Sequence, residues 1–159
     1  MTGKNRYRIG VFGASECDDR ISSIAEETGR ILAKNNSIVY CGGRGGVMES
    51  VSKGVNEYGG IVVGILPTTN ISDANKYITI PILSGMGEGR NNLIANSIDG
   101  AIAISGSYGT LSEISHTLSQ KKPVVTIHSW DIMGCIKAIT PEAAVRRIYQ
   151  ECEKNNIIH

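Results

Sequence analysis

The sequence switches repeatedly between two hydrophobic periods, and most of the switches pass through glycine. Short continuous apolar runs occur at 7–15 (YRIGVFGAS), 37–43 (SIVYCGG), 59–67 (GGIVVGILP), 77–83 (YITIPIL), 100–104 (GAIAI) and 122–128 (KPVVTIH). Each reads as a strand buried on both faces. Between them, apolar residues return at helical spacing: Ile21, Ile24, Ala25, Ile31 and Leu32; Val47, Val51 and Val55; Leu93 and Ile94; Leu111, Ile114 and Leu118. Alternation of this kind requires crossover connections, which set parallel strands side by side with helices on both faces. The expected fold is α/β, a Rossmann-like parallel sheet, and 159 residues suit a single domain spanning 1–159. Ser23 with Glu26 predicts a capping box near the start of the first helix, behind a solvated turn at Asp18 and Asp19. Thr140-Pro141-Glu142 predicts the start of the last helix, with a cap, a proline and an acid in order.

The 19 glycines exceed the average share of roughly 7%. They gather where the strands should end, at Gly13-Ala14-Ser15, CGGRGG (41–46), GMGEGR (85–90) and SGSYGT (105–110). In open parallel sheets, ligands bind beyond these carboxyl ends. Glycine lets backbone N–H groups approach a ligand, and the helix that follows adds free donors and partial positive charge. Together they make an anion site, most often for phosphate. The candidate phosphate-binding residues are Gly106, Ser107, Tyr108, Gly109 and Thr110 at one turn and Gly42, Gly43, Arg44, Gly45 and Gly46 at a second. Gly13 and Ser15 lie beside them. One such turn alone is better read as a device for tight helix–strand packing. Two at one sheet edge point to a nucleotide or sugar phosphate as the small-molecule partner.

Glu113 admits two readings: a capping box with Thr110, or a working carboxylate at the phosphate site. Arg90 begins its helix, where a cation opposes the dipole, so an anionic ligand or carboxylate explains it better than helix stability does. Glu113 and His116 form a Glu-x-x-His pair, too little for a metal site, and none is expected.

Other classes are set aside on what the chain lacks. A net charge of +1 without a basic run argues against a nucleic-acid partner. No apolar run approaches membrane length and the N-terminus lacks a signal core, so no membrane partner and a cytoplasmic location are expected. Cys17, Cys41, Cys135 and Cys152 are widely spaced and read as reduced thiols. There is no GxxxxGK[ST], no GxSxG, and no GxGxxG after the first strand. The second strand runs into Cys41-Gly42-Gly43 where a dinucleotide site would carry an acid for the ribose.

YCGGRGGVMESVSKG, GGIVVGILP, GRNNLIANSIDGAIAISGSYGTLSE and KKPVV together resemble, in order and spacing, the Lonely Guy (LOG) phosphoribohydrolases, once misannotated as lysine decarboxylases. Arg90 matches the arginine of that family's arginine-lysine pair. Gly106, Gly109, Thr110 and Glu113 match its PGGxGTxxE motif, with Arg90 and Glu113 23 positions apart. Asn91 stands where the lysine is usual, Ser105 where the proline is, and Ser107 where a glycine is. These departures resemble a sister branch that includes molybdenum cofactor carrier proteins. The resemblance implies Glu113 and Arg90 as catalytic residues cleaving the N-glycosidic bond of a purine nucleoside 5′-monophosphate. Its products would be free base and ribose 5-phosphate, with no cofactor required. The sister branch implies the alternative, a carrier or sensor holding a nucleotide or molybdenum cofactor without chemistry. Either branch implies a homo-oligomer.

Overall fold

Among the described residues the chain forms seven strands and five helices. In order they are β1 (Arg8–Phe12), α1 (Asp19–Lys34), β2 (Ile38–Cys41), α2 (Val47–Glu57), β3 (Ile61–Leu66), β4 (Ile80–Leu83), α3 (Arg90–Ser97), β5 (Gly100–Ile104), α4 (Tyr108–Ser119), β6 (Val124–Ile127), β7 (Ile136–Ala138) and α5 (Pro141–Lys154). This computed structural model describes residues 6–155. The two ends of the expected domain, 1–5 and 156–159, lie outside the described residues, as does half of the N-terminal stretch read for a signal core.

The strands form one sheet in the order β4-β3-β2-β1-β5-β6-β7, and every pairing is parallel. The architecture is the Rossmann-like α/β sheet read from the periods. The chain builds outward from β1 to β4, then returns to place β5 beside β1. That reversal is a topological switch point, and it opens a crevice past the ends of β1 and β5.

Two hydrophobic layers sandwich the sheet. Ile21, Leu32, Val51, Val55, Val145 and Ile148 carry α1, α2 and α5 onto one face. Ile94, Ile98 and Ile114 carry α3 and α4 onto the other. Helices α1 and α2 touch backbone to backbone. A Cβ at Gly29 would lie 2.3 Å from the Val51 carbonyl oxygen, and one at Gly54 would lie 2.0 Å from that of Glu26. Neither backbone can yield without parting the helices. Gly54→Ala should therefore cost about 1–3 kcal/mol of unfolding free energy, the usual scale of overpacking, read by urea denaturation.

Three local expectations change. Asp18 is the cap of α1, accepting from the Ile21 amide at 2.8 Å. Ser23 instead donates to the Asp19 carbonyl, and Glu26 is held by Arg30 and Lys53 across α1 and α2. A cap must precede the first turn, so Ser23, already inside the helix, cannot be one. The third change is β7, which has no counterpart in the apolar runs. It is three residues long with a lysine at its centre, so no hydrophobic period marks it. The α5 start follows expectation, with Thr140 accepting from the Ala143 amide ahead of Pro141. All four cysteines are free thiols, Cys41 and Cys152 fully buried. No helix among the described residues is long and apolar enough to cross a membrane.

Candidate functional site

A cavity of about 210 Å³ occupies the switch-point crevice. Gly13 and Ser15 line it from the turn after β1, and Arg44 and Met48 from the β2–α2 junction. Glu88, Arg90 and Asn91 come from the start of α3; Ser107, Gly109, Thr110 and Glu113 come from the start of α4. Pockets that enclose a drug-sized ligand are roughly 300–1,000 Å³. This one suits a phosphate and a sugar, with any attached ring at the mouth.

The turn leading into α4 is over-determined. Ser105 closes β5 with φ +52° and Gly106 follows at φ +124°. The Ser105 amide donates to the Ile127 carbonyl, and its own carbonyl accepts from the Ser129 hydroxyl. A non-glycine residue is rare at such an angle, and a proline, locked near φ −65°, could not adopt it. The serine in place of the LOG proline therefore goes with a turn shape that a proline would forbid. Ser107 caps α4, and its amide donates to Thr110 Oγ1 at 3.3 Å. The amides of the first helical turn have no intrahelical acceptor, and Gly109 in that turn lines the cavity. A Cβ at Gly109 would meet only Glu88 Oε2 at 3.9 Å and Ser107 Oγ at 4.0 Å. Packing does not demand this glycine; an approach by a ligand would.

The capping box thus joins Ser107 to Thr110, and the expected box between Thr110 and Glu113 does not form. Glu113 lies a turn deeper, 6% exposed, and faces the cavity. Burial pushes its carboxyl up to about 8 from an ordinary 4.5. The Arg90 charge opposes that rise without overcoming it, and the Glu88 charge adds to it. The balance leaves the Glu113 carboxyl well above the usual carboxylate range despite Arg90 beside it.

Arg90 is 5% exposed at the N-terminus of α3. One Nη donates to Asn91 Oδ1, while its Nε is buried without a hydrogen-bond partner. A buried unsatisfied donor costs about 1–3 kcal/mol, more when charged. The guanidinium also fills the space over Gly42, where a Cβ would lie 2.7 Å from Nη2 and 2.7 Å from Met48 Sδ. The chain has kept a side chain away from position 42 and a cation inside a crevice where an anion would relieve it.

The fold brings Gly13, Ser15, Arg44, Arg90, Ser107, Gly109, Thr110 and Glu113 to one cavity. Gly42, Gly43, Gly45, Gly46, Gly106 and Tyr108 are not on its wall. Gly42 makes room for Arg90, and Gly46 lets α2 start against the Ala14 carbonyl. Gly43 packs on Leu66, and Gly106 on Thr110. Gly45 lies near the Ser15 carbonyl. Tyr108 is 81% exposed, its ring tilted against Trp130. Met48, Glu88 and Asn91 also line the cavity and were not among the expected site residues. Asn91 was marked by standing at the position of the LOG lysine and Glu88 as an acid inside the GMGEGR glycine cluster, whereas Met48 carried no signal. His116 is half-buried, and His128 is at the surface with Arg20 3.1 Å away. No group of three or more metal-binding side chains forms among the described residues.

The chain is similar to an uncharacterized protein of Archaeoglobus fulgidus, 39% identical over 87% of this chain and 91% of that one. It is 32% identical to a cytokinin riboside 5′-monophosphate phosphoribohydrolase of Arabidopsis thaliana over 73% of this chain and 54% of that one. The chain thus spans about half the length of the plant enzymes it matches. Among solved structures, the molybdenum cofactor binding protein of Rippkaea orientalis superposes with TM-score 0.87 at 30% identity. That match covers 93% of this chain and 98% of that one. The model of the SLOG cluster4 family (LDcluster4) matches residues 6–157, and with the switch-point cavity and these relatives it establishes that the chain belongs to the SLOG cluster4 family, a LOG-like group that resembles both the phosphoribohydrolases and the molybdenum cofactor carriers.

Proposed function

We propose that the protein binds a nucleoside 5′-monophosphate at the switch-point cavity and hydrolyses its N-glycosidic bond. The observation that carries this reading is Glu113, buried in the same cavity as Arg90, whose Nε has no partner, and the start of α4. An ionised Glu113 would repel a bound phosphate, so a site that only held the phosphate has no use for its carboxylate form.

In this reading the 5′-phosphate rests on the first-turn amides of α4 with the Ser107 and Thr110 hydroxyls, and Arg44 and Arg90 neutralise it. The ribose then lies toward Glu113. As the C1′–N bond lengthens, its electron pair leaves with the base nitrogen and positive charge grows on the ribose. The Glu113 carboxylate stabilises that charge and takes a proton from the water that adds to C1′. The departing base receives a proton, leaving free base and ribose 5-phosphate. The carboxylate form is required, so kcat/KM should climb with pH toward about 8.

The second reading is a carrier of molybdenum cofactor as cargo. What favours it is coverage: the Rippkaea orientalis protein is matched over 98% of its length, the plant hydrolase over 54%. Incubation with AMP, GMP, IMP and a cytokinin riboside monophosphate separates the two. Release of free base supports hydrolysis. Binding without release, with a pterin phosphate found by mass spectrometry in the purified protein, supports the carrier. Assembly into a homo-oligomer and a cytoplasmic location belong to the same proposal, the first read by light scattering against the 17.0 kDa of one chain.

A further inference from the structure

The cavity holds a second carboxylate that neither phosphate binding nor the Glu113 chemistry uses. Glu88 lines the wall, exposed, on a short 3-10 turn (Gly87–Gly89) just before α3. Its Oε2 stands 3.9 Å from where a Cβ at Gly109 would be, beside the first turn of α4. Its charge is felt by Glu113 in the same cavity.

Apart from the two carboxyl groups, the polar side chains lining this cavity are the donor-only guanidinium groups of Arg44 and Arg90, and the hydroxyls of Ser15, Ser107 and Thr110 and the amide of Asn91, which can both donate and accept. Glu88 is different. An ionised carboxylate only accepts hydrogen bonds, and it repels a phosphate. An acceptor in a cavity shared with a phosphate turn and a buried carboxyl is satisfied by a ligand that brings donors to it. In a sugar phosphate running from α4 to Glu113, the groups there are ring hydroxyls. The backbone around Glu88 leaves it free to meet them. Gly87 has φ +57°, and a Cβ at either Gly87 or Gly89 would meet nothing within 4 Å.

We propose that Glu88 is a specificity residue, accepting hydrogen bonds from the vicinal hydroxyls of a ribose 5-phosphate unit and so selecting ribose over 2-deoxyribose. The inference rests on the reading of the cavity as a phosphate site. It adds the sugar class to that reading and holds for a hydrolase substrate or a carried nucleotide alike.

Calorimetry tests it with ribose 5-phosphate, 2-deoxyribose 5-phosphate, AMP and dAMP, on the wild type, Glu88→Gln and Glu88→Ala. The wild type should favour the ribose form of each pair by at least about tenfold, the scale of one hydrogen bond to a charged group. Glu88→Ala should bring that ratio close to one, while its affinity for 2-deoxyribose 5-phosphate stays equal or rises with the loss of a repulsive charge. Glu88→Gln, which keeps one acceptor oxygen, should retain part of the preference. A ribose preference that is unchanged in Glu88→Ala would overturn the proposal and leave the phosphate site standing. A wild type that discriminates less than twofold would do the same. Failure of the wild type to bind any of the four would overturn the phosphate site and this inference together. Melting curves of both variants confirm that each is folded.

Discussion

Glu113→Gln should cut release of free base at least about a hundredfold, the scale on which one transition-state electrostatic contact is lost. Glutamine keeps the size of the side chain and one acceptor oxygen but can neither stabilise a cation at C1′ nor take a proton from water. Position 113 is not part of the α4 cap, which Ser107 and Thr110 complete between them, so the helix should start unchanged. The effect on stability has a sign and a pH window. The folded protein keeps a proton on Glu113 up to about pH 8, whereas the unfolded chain releases it near 4.5. Between those values the folded state binds more protons, so stability falls as pH rises, and above about 8 the full cost of burying the charge is present. Glutamine carries no such cost. The melting temperature of Glu113→Gln relative to wild type should therefore climb from pH 4.5 to 8 and level off beyond. Base release and melting curves at pH 5, 6.5, 8 and 9 measure both effects. A variant that keeps wild-type turnover would remove Glu113 from the chemistry. A flat difference in melting temperature would mean its carboxyl is not raised.

Gly109→Val should abolish binding of AMP and of ribose 5-phosphate, with at least about a hundredfold loss in affinity by calorimetry. A Cβ at 109 enters free space, with its nearest neighbours at 3.9 and 4.0 Å. The backbone there has no left-handed strain for a side chain to aggravate. The branched side chain instead occupies the approach to the first-turn amides of α4, where an anion meets its donors. Valine has a somewhat higher helix propensity than the glycine it replaces, so the melting temperature should not fall. A folded variant with undiminished affinity would mean that the phosphate does not sit on this turn. The same substitution at Gly106 would be uninformative, because a Cβ there lies 2.5 Å from Thr110 and the fold itself would suffer.

Much of this molecule could be read along the chain, because its signals are local. Continuous apolar runs marked six of the seven strands, helical spacing marked four of the helices, and the cap and proline at 140–141 marked the fifth. Thr140-Pro141 announced α5 because a cap and its helix lie within four residues of each other. Where two local signals competed, sequence could not choose. Ser23 with Glu26 and Thr110 with Glu113 both fit a capping box, yet Asp18 and Ser107 are the caps, because where the backbone first turns helical depends on how the preceding strand leaves the sheet. Strand β7 went unread because three residues around a lysine show no period.

At the site, sequence determined the chemistry available: a glycine turn with hydroxyls, a carboxylate, and an arginine where a helix should not want one. Tertiary structure decided which of these meet. Returning the chain to set β5 beside β1 brought residues 13, 44, 90 and 113 to one crevice, and it left Gly43, Gly45 and Tyr108 off the wall. Burial, a property of the whole fold, raised the Glu113 carboxyl and left Arg90 Nε without a partner. It also brought Glu88 beside Gly109, 21 positions away in the chain. Residue types and short-range periods are written in order along the sequence, but the desolvation and proximity that turn them into a site exist only once distant segments have packed.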